Sequence, residues 1–345
     1  MLKRNKIGAY LALLIIVVFS GPAQAIDLEK KVIKTKLDNG LTVLMLERKF
    51  SPTVSLYIRY RVGAVDEVKG QSGAAHFLEH MMFKGTPTIG TKNYAEEKKI
   101  LAQIEKTGAS LDLEIMKQEK ADPEIIKRLS AKLKSLQEKQ RRYYIPNEID
   151  RLYTENGGMN MNATTGQDIT TYYVSLPANK MELWARIESD RLINPVFREF
   201  YTERDVILEE RGQRVETSPD GKLYEAFINA AYKVHPYGEP ILGWPEDMKY
   251  MTQEAIRNIH KKYLMPSNIV IAVVGDIDPQ KTLKLIDQYF GRLPKKSLKA
   301  GHIPVEPPQV QERKLEVFYD ANPRMILGYH KPTSPAFEDY VFDVL

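Results

Sequence analysis

Two histidines and a glutamate fall within five residues of one another in the stretch GQSGAAHFLEHMMFKGT, residues 70–86. A helix turns about 100° per residue, so His76 and His80 lie about 40° apart, with Glu79 on the same side. Two imidazoles one turn apart can hold a single Zn2+, and a carboxylate beside them can reach a water on that ion. The bland alternative is two histidines that cap or pack and a glutamate in solvent. Only six histidines occur in the whole chain, which weighs against chance pairing.

A catalytic zinc takes three protein ligands and keeps one position open, whereas a structural zinc is closed by four. The third ligand must come from elsewhere in the chain. Its best source is YTERDVILEERGQR, residues 201–214. Glu203 and Glu210 are two helical turns apart and face the same way, while Glu209 points about 100° aside and reads as solvated.

These residues need elements to position them. VIKTKLDNGLTVLMLER alternates apolar and polar residues around Asn39-Gly40, which predicts a β-hairpin. Residues 53–64 form a third strand. Ser72 stands where an N-cap would open the helix that carries the two histidines and runs to Gly85. Tyr94 to Tyr144 carries apolar residues at helical spacing among many Lys and Glu, broken at KADPE, and predicts a charged helical hairpin over about 94–145. GGMNMNATTGQDITTYYVSLP, residues 157–177, reads as two strands joined by a turn. Helices follow over 178–192, 199–216 and 221–232, and another is capped by Thr252. NIVIAVVGDI is a short buried strand, and Asp278-Pro279 opens a helix that stops at Gly291. Pro294, Pro304, Pro307 and Pro308 punctuate an aperiodic linker, 294–312. Beyond it KLEVFYD, RMILGYHKP and AFEDYVFDVL read strand, strand, helix, the opening of a second domain over 313–345.

The chain has 345 residues, 43% hydrophobic and 28% charged, enough for two globular domains. Residues 1–25 begin with Lys3, Arg4 and Lys6, continue through an apolar run from Ile7 to Phe19, and end on small residues at Ala23 and Ala25. This is the layout of a cleavable secretory signal. A retained anchor is the alternative, but the run is short of the roughly 20 residues that span a bilayer. Removing the three leading cations reduces the net charge from +5 to +2, too weak a bias to suggest nucleic acid. Cysteine is absent, which excludes disulfides. A periplasmic or secreted location fits best.

The blocks HFLEHMMFKGT, GGMNMNATTGQDITTYY, ERDVILEE and HPYGEPILG occur in an order that resembles the inverted-motif zinc peptidases, the pitrilysin and mitochondrial processing peptidase family. The resemblance covers nearly the whole chain after residue 25. It implies an α+β fold, a mainly antiparallel sheet packed against helices, over residues 26–293, with the hairpin inserted and a second similar domain beginning after it. It further implies that His76, His80 and Glu210 bind one Zn2+ per chain, that Glu79 is the general base on a zinc-bound water, and that Glu203 is a carboxylate supporting the site. Asn162 and Ala163 resemble the family's edge strand, where an extended peptide adds itself by main-chain hydrogen bonds. His235 takes a structural position, and His260, His302 and His330 are read as ordinary surface or core residues. The distance from His80 to Glu210 exceeds the family's usual spacing, and the hairpin accounts for the excess. Family members enclose the peptide between two similar halves. An Arg and a Tyr from the second half would lie beyond Leu345, in a continuation of the chain or on a partner in a homo- or heterodimer. The expected activity is that of a zinc endopeptidase on short or unfolded peptides; a non-catalytic peptide-binding subunit is the rival reading.

Overall fold

The computed structural model describes residues 28–298, 301 and 303–344. The secretory-signal reading of residues 1–25 and His302 lie outside the described residues. Six strands build one sheet: β1 (Ile33–Lys36), β2 (Thr42–Glu47), β3 (Thr53–Tyr60), β4 (Met159–Thr165), β5 (Thr170–Pro177) and β6 (Ile269–Gly275). Their order is β1-β2-β6-β3-β5-β4. Every pairing is antiparallel except that of β2 with β6. The sheet is thus mainly antiparallel and packed against helices, an α+β fold.

Strand patterning follows burial. Val54, Leu56, Ile58 and Tyr60 alternate inward along β3, and Val43 and Met45 along β2. On β6, at the middle of the sheet, the inward residues Ile269, Ile271 and Val273 alternate with half-buried Val270, Ala272 and Val274, which is why this stretch is apolar throughout. Gly40 takes φ 100° in the turn before β2, where the amide side chain of Asn39 donates to the carbonyl of Phe290 at 2.8 Å. That bond pins the hairpin to the end of the helix Pro279–Phe290.

The motif helix spans Ala74–Met81. Its start differs from the expectation for Ser72. Gly73 precedes the helix at φ 86°, a left-handed conformation natural to glycine, and a Cβ there would meet Met248 Sδ at 2.6 Å. This turn directs the Ser72 hydroxyl away from the helix, to donate to Asp247 at 2.6 Å and accept from the Trp244 amide at 2.8 Å. Glu67 takes over the capping, accepting from the amides of Gly73 at 2.8 Å and Ala75 at 2.7 Å.

The charged region forms two helices, Tyr94–Ile115 and Pro123–Arg141. Asp122 caps the second, accepting from the Glu124 and Ile125 amides, with Pro123 opening the first turn. The hairpin is anchored at its root by a buried cluster in which Arg198 donates through Nε to both oxygens of Glu97 at 3.0 Å, while Gln140 donates to Glu97 at 2.8 Å. Arg198 also donates to the carbonyls of Lys84, Thr86 and Ile89, which follow the motif helix.

The strands expected at KLEVFYD and RMILGYHKP are not formed: residues 314–332 carry no strand, and Phe318, Met325 and Tyr329 are exposed. Alternating patterning needs a neighbouring strand for its ladder, and among the described residues none runs beside these segments. The terminal helix is present as Phe337–Phe342.

Candidate metal centre

The motif helix lies across the helix Phe200–Arg211, joined to it by the stacked rings of Phe77 and Phe200, 4.7 Å between centroids. The second helix carries Glu203 and Glu210 on the side facing the histidines. His76 Nε2 is 3.8 Å from Glu210 Oε2, and His80 Nε2 is 3.5 Å from the same oxygen. One donor atom from each of His76, His80 and Glu210 lies within 4.8 Å of the other two. A tetrahedral zinc with bonds of about 2.0–2.1 Å spaces its donors about 3.3–3.5 Å apart, so two of the separations are already close to that geometry.

Two of the three donors are held by a neighbour, whereas Nδ1 of His76 is buried without a hydrogen-bond partner. The helix passes after Arg211 into a π-helical segment, Gly212–Glu216, which brings Arg214 back onto Glu210 Oε1 at 3.1 Å. The other oxygen is left to the histidines. Glu203 Oε1 meets His80 Nδ1 at 3.0 Å, a contact that holds a ring proton on Nδ1 and turns Nε2 towards Glu210 and the cluster. Lys84 forms a close ion pair with Glu203, and its ammonium is 3.6 Å from Glu199. Glu209 is exposed and points away, as its place on the helix requires.

The electrostatics fit a bound cation. Burial and the neighbouring His80 lower the His76 pKa to about 4, so that ring is neutral, with one nitrogen lone pair available. Burial would lower His80 also, but Glu203 and Glu210 raise it to about 9. Two carboxylates therefore draw positive charge to His80, in the place where a divalent ion between the three donors would supply it. Two imidazoles and a carboxylate are a donor set suited to zinc.

Glu79 sits beside this cluster without joining it. Burial raises its carboxyl above the ordinary range, opposed by the hydroxyl of Thr165, which donates a short hydrogen bond to Oε2. Thr165 ends β4, an edge strand of the sheet, on which Asn162 is exposed and Ala163 buried. The Asn162 side chain accepts from the Ala163 amide at 2.9 Å. The other described histidines stand apart: His235 accepts from the Tyr237 amide, and the His260 and His330 rings contact the carbonyls of Leu192 and Ala231.

Sequence reasoning missed Thr165, Lys84, Arg214 and Arg198. Lys84 had a local signal, four residues after His80 on the continuing turn. Arg214 had one too, four residues after Glu210. Thr165 and Arg198 reach the site through contacts between distant segments.

The fold and this cluster define a protein of the inverted-motif metallopeptidase class. A family profile described as insulinase, peptidase family M16, matches residues 42–120 and 142–244, and one described as the peptidase M16 inactive domain matches 250–345. The chain belongs to peptidase family M16. It is 30% identical over 319 residues to the zinc protease PqqE of Helicobacter pylori, covering 90% of this chain and 59% of that protein. It is 26% identical to a probable mitochondrial-processing peptidase subunit beta of Schizosaccharomyces pombe, covering 75% of this chain and 45% of that one. A crystal structure of a protease from Helicobacter pylori superposes with TM-score 0.59 at 28% identity, over 80% of this chain and 53% of the other. The periplasmic protease PqqL of Escherichia coli shares the fold, with TM-score 0.59 at 22% identity over 81% of this chain and 26% of that one. The chain spans between half and three-fifths of the length of the first curated relatives it matches.

Proposed function

We propose that this chain is the catalytic half of a zinc-dependent endopeptidase that hydrolyses short or unfolded peptides in the periplasm or outside the cell. The observation that carries the reading is the convergence of His76, His80 and Glu210 with the unligated Glu79 alongside. His76, His80 and Glu210 would hold one zinc per chain. Zinc bound there supplies Lewis-acid polarisation of the scissile carbonyl and a lowered pKa for the attacking water. Glu79, raised by burial, would serve as the general base, taking a proton from the attacking water and giving it to the leaving amine. Glu203 keeps the His80 ring in the tautomer that presents Nε2.

Peptide binding falls to Asn162 and Ala163, because β4 ends the sheet and offers an edge for strand addition. A peptide that takes the Ala163 amide displaces the Asn162 side chain that now holds it. A second peptidase half, from a continuation of the chain or a partner, would close over the peptide. The reading gains support from the apolar leader, and from PqqL being a periplasmic protease.

The test is hydrolysis of quenched peptides by the protein and by Glu79→Gln, with chelator treatment and zinc add-back. Chelator-sensitive cleavage restored by zinc, and lost in the variant while zinc is retained, is the expected result. Unchanged cleavage in Glu79→Gln would overturn the assignment.

A further inference from the structure

The helix Pro123–Arg141 coincides with the break in the peptidase profile between residues 120 and 142. From residue 127 to 142 it and the residue that follows it carry Lys127, Arg128, Lys132, Lys134, Lys139, Arg141 and Arg142 against a single carboxylate, Glu138. All seven cations are exposed, and among the described residues none forms an ion pair. At about 100° per residue they occupy roughly half the helix circumference, over a length of about 22 Å. Leu133, Leu136 and Gln140 fill the opposite, buried side. The cations are fixed to the body of the protein, because Gln140 is bonded to the Glu97–Arg198 pair and Arg204 holds Asp112 of the partner helix at 2.7 and 2.9 Å.

We propose that this face docks the protein on an anionic phospholipid surface. The face is the convex outside of a helix, and the small pocket that Arg141 lines lies at its flank, with Gln137, Gln140 and Thr202. No aromatic side chain stands on it to stack a nucleobase, and it presents no strand edge for an extended acidic peptide. What it matches is a polyanion extended in two dimensions, to which basic side chains are drawn within about a Debye length. At the free end of the hairpin, Leu113 and Met116 are 66% and 49% exposed beside Lys120 and beside Lys117, which is paired with Glu114. Apolar side chains flanked by cations suit the headgroup boundary. Docking of this kind is independent of peptide cleavage.

The experiment is co-sedimentation of the full chain with vesicles of phosphatidylcholine alone and with about a third phosphatidylglycerol. Residues 1–25 are apolar but carry Lys3, Arg4 and Lys6, and they are common to the protein and its variants, so the readout is the anionic-vesicle binding that the variants of the helix face lose. The expected result is binding at least about tenfold stronger to the anionic vesicles, lost at high salt and in K132E/K134E/K139E/R141E. A glutamine set at the same four positions gives an intermediate loss, and circular dichroism verifies the fold of both. Equal binding to the two vesicles, or binding indifferent to both substitutions, would overturn the proposal. So would charge-dependent binding that is tighter to single-stranded DNA or polyglutamate than to the anionic vesicles.

Discussion

Thr165, at the end of the edge strand β4, donates its hydroxyl to Glu79 on the motif helix. One hydrogen bond thus joins the strand proposed to receive the peptide to the carboxylate proposed to take the proton. It also opposes the burial that raises Glu79.

Thr165→Val should lower kcat by about tenfold to a hundredfold by leaving Glu79 free to misalign, with KM and zinc content little changed. Thr165→Ser, which keeps the hydroxyl, should restore most of the rate. Steady-state kinetics beside metal analysis of each variant checks this. Loss of zinc in Thr165→Val would show that the contact supports the metal cluster and not the base.

Glu203 holds His80 and is itself held by Lys84. Its carboxyl would be raised by burial, but His80 and Lys84 hold it below the ordinary range, so it accepts from both as an anion. Glu203→Gln should weaken zinc binding about 10–100-fold, as removal of such supporting partners does. Competition with a zinc-binding dye measures it. Lys84→Met should weaken binding less, because it removes only the outer contact.

Arg198 and Glu97 are fully buried and bonded to one another. Arg198→Leu strands the Glu97 charge and should cost about 3–5 kcal/mol in urea unfolding. Adding Glu97→Leu removes the orphaned charge and should recover part of that loss. A double variant no more stable than Arg198→Leu would mean that the carbonyl contacts of Arg198 matter more than the ion pair.

Glu306 clamps the segment after residue 303 to the loop that follows the helix Pro219–Ala231. Burial alone would raise its carboxyl, but the amides of His235, Lys233 and Val234, with Arg313, hold it down at about 2. The folded pKa lies below the ordinary 4.5. The clamp's contribution is therefore complete above about pH 4.5 and fades as pH falls towards 2. Glu306→Gln imitates the acid form at neutral pH and should speed limited proteolysis within 294–313. Equal cleavage of both proteins would show that other contacts hold the segment.

The proximity of His76, Glu79 and His80, and the shared face of Glu203 and Glu210, could be read from the chain because a helix repeats every 3.6 residues and such relations are local. The strands around Asn39-Gly40, the break at KADPE, the cap at Thr252 and the helix start at Asp278 were legible for the same reason. Ser72 misled because its hydroxyl was judged by its place in the chain. The left-handed turn at Gly73 directs it to Asp247, and Glu67 caps instead. The two segments within 314–332 have strand patterning, but patterning states a preference that only a neighbouring strand can satisfy.

What the sequence determined by itself was which residues share a face and which segments can be helix or strand. The tertiary structure alone decided that the face of one helix meets that of the other, that Thr165 reaches Glu79 across 86 residues, and that Arg198 joins the hairpin to the end of the motif helix. The physical reason is range: backbone periodicity acts over a few residues, whereas hydrogen bonds and ion pairs between distant segments exist only once packing has brought them together.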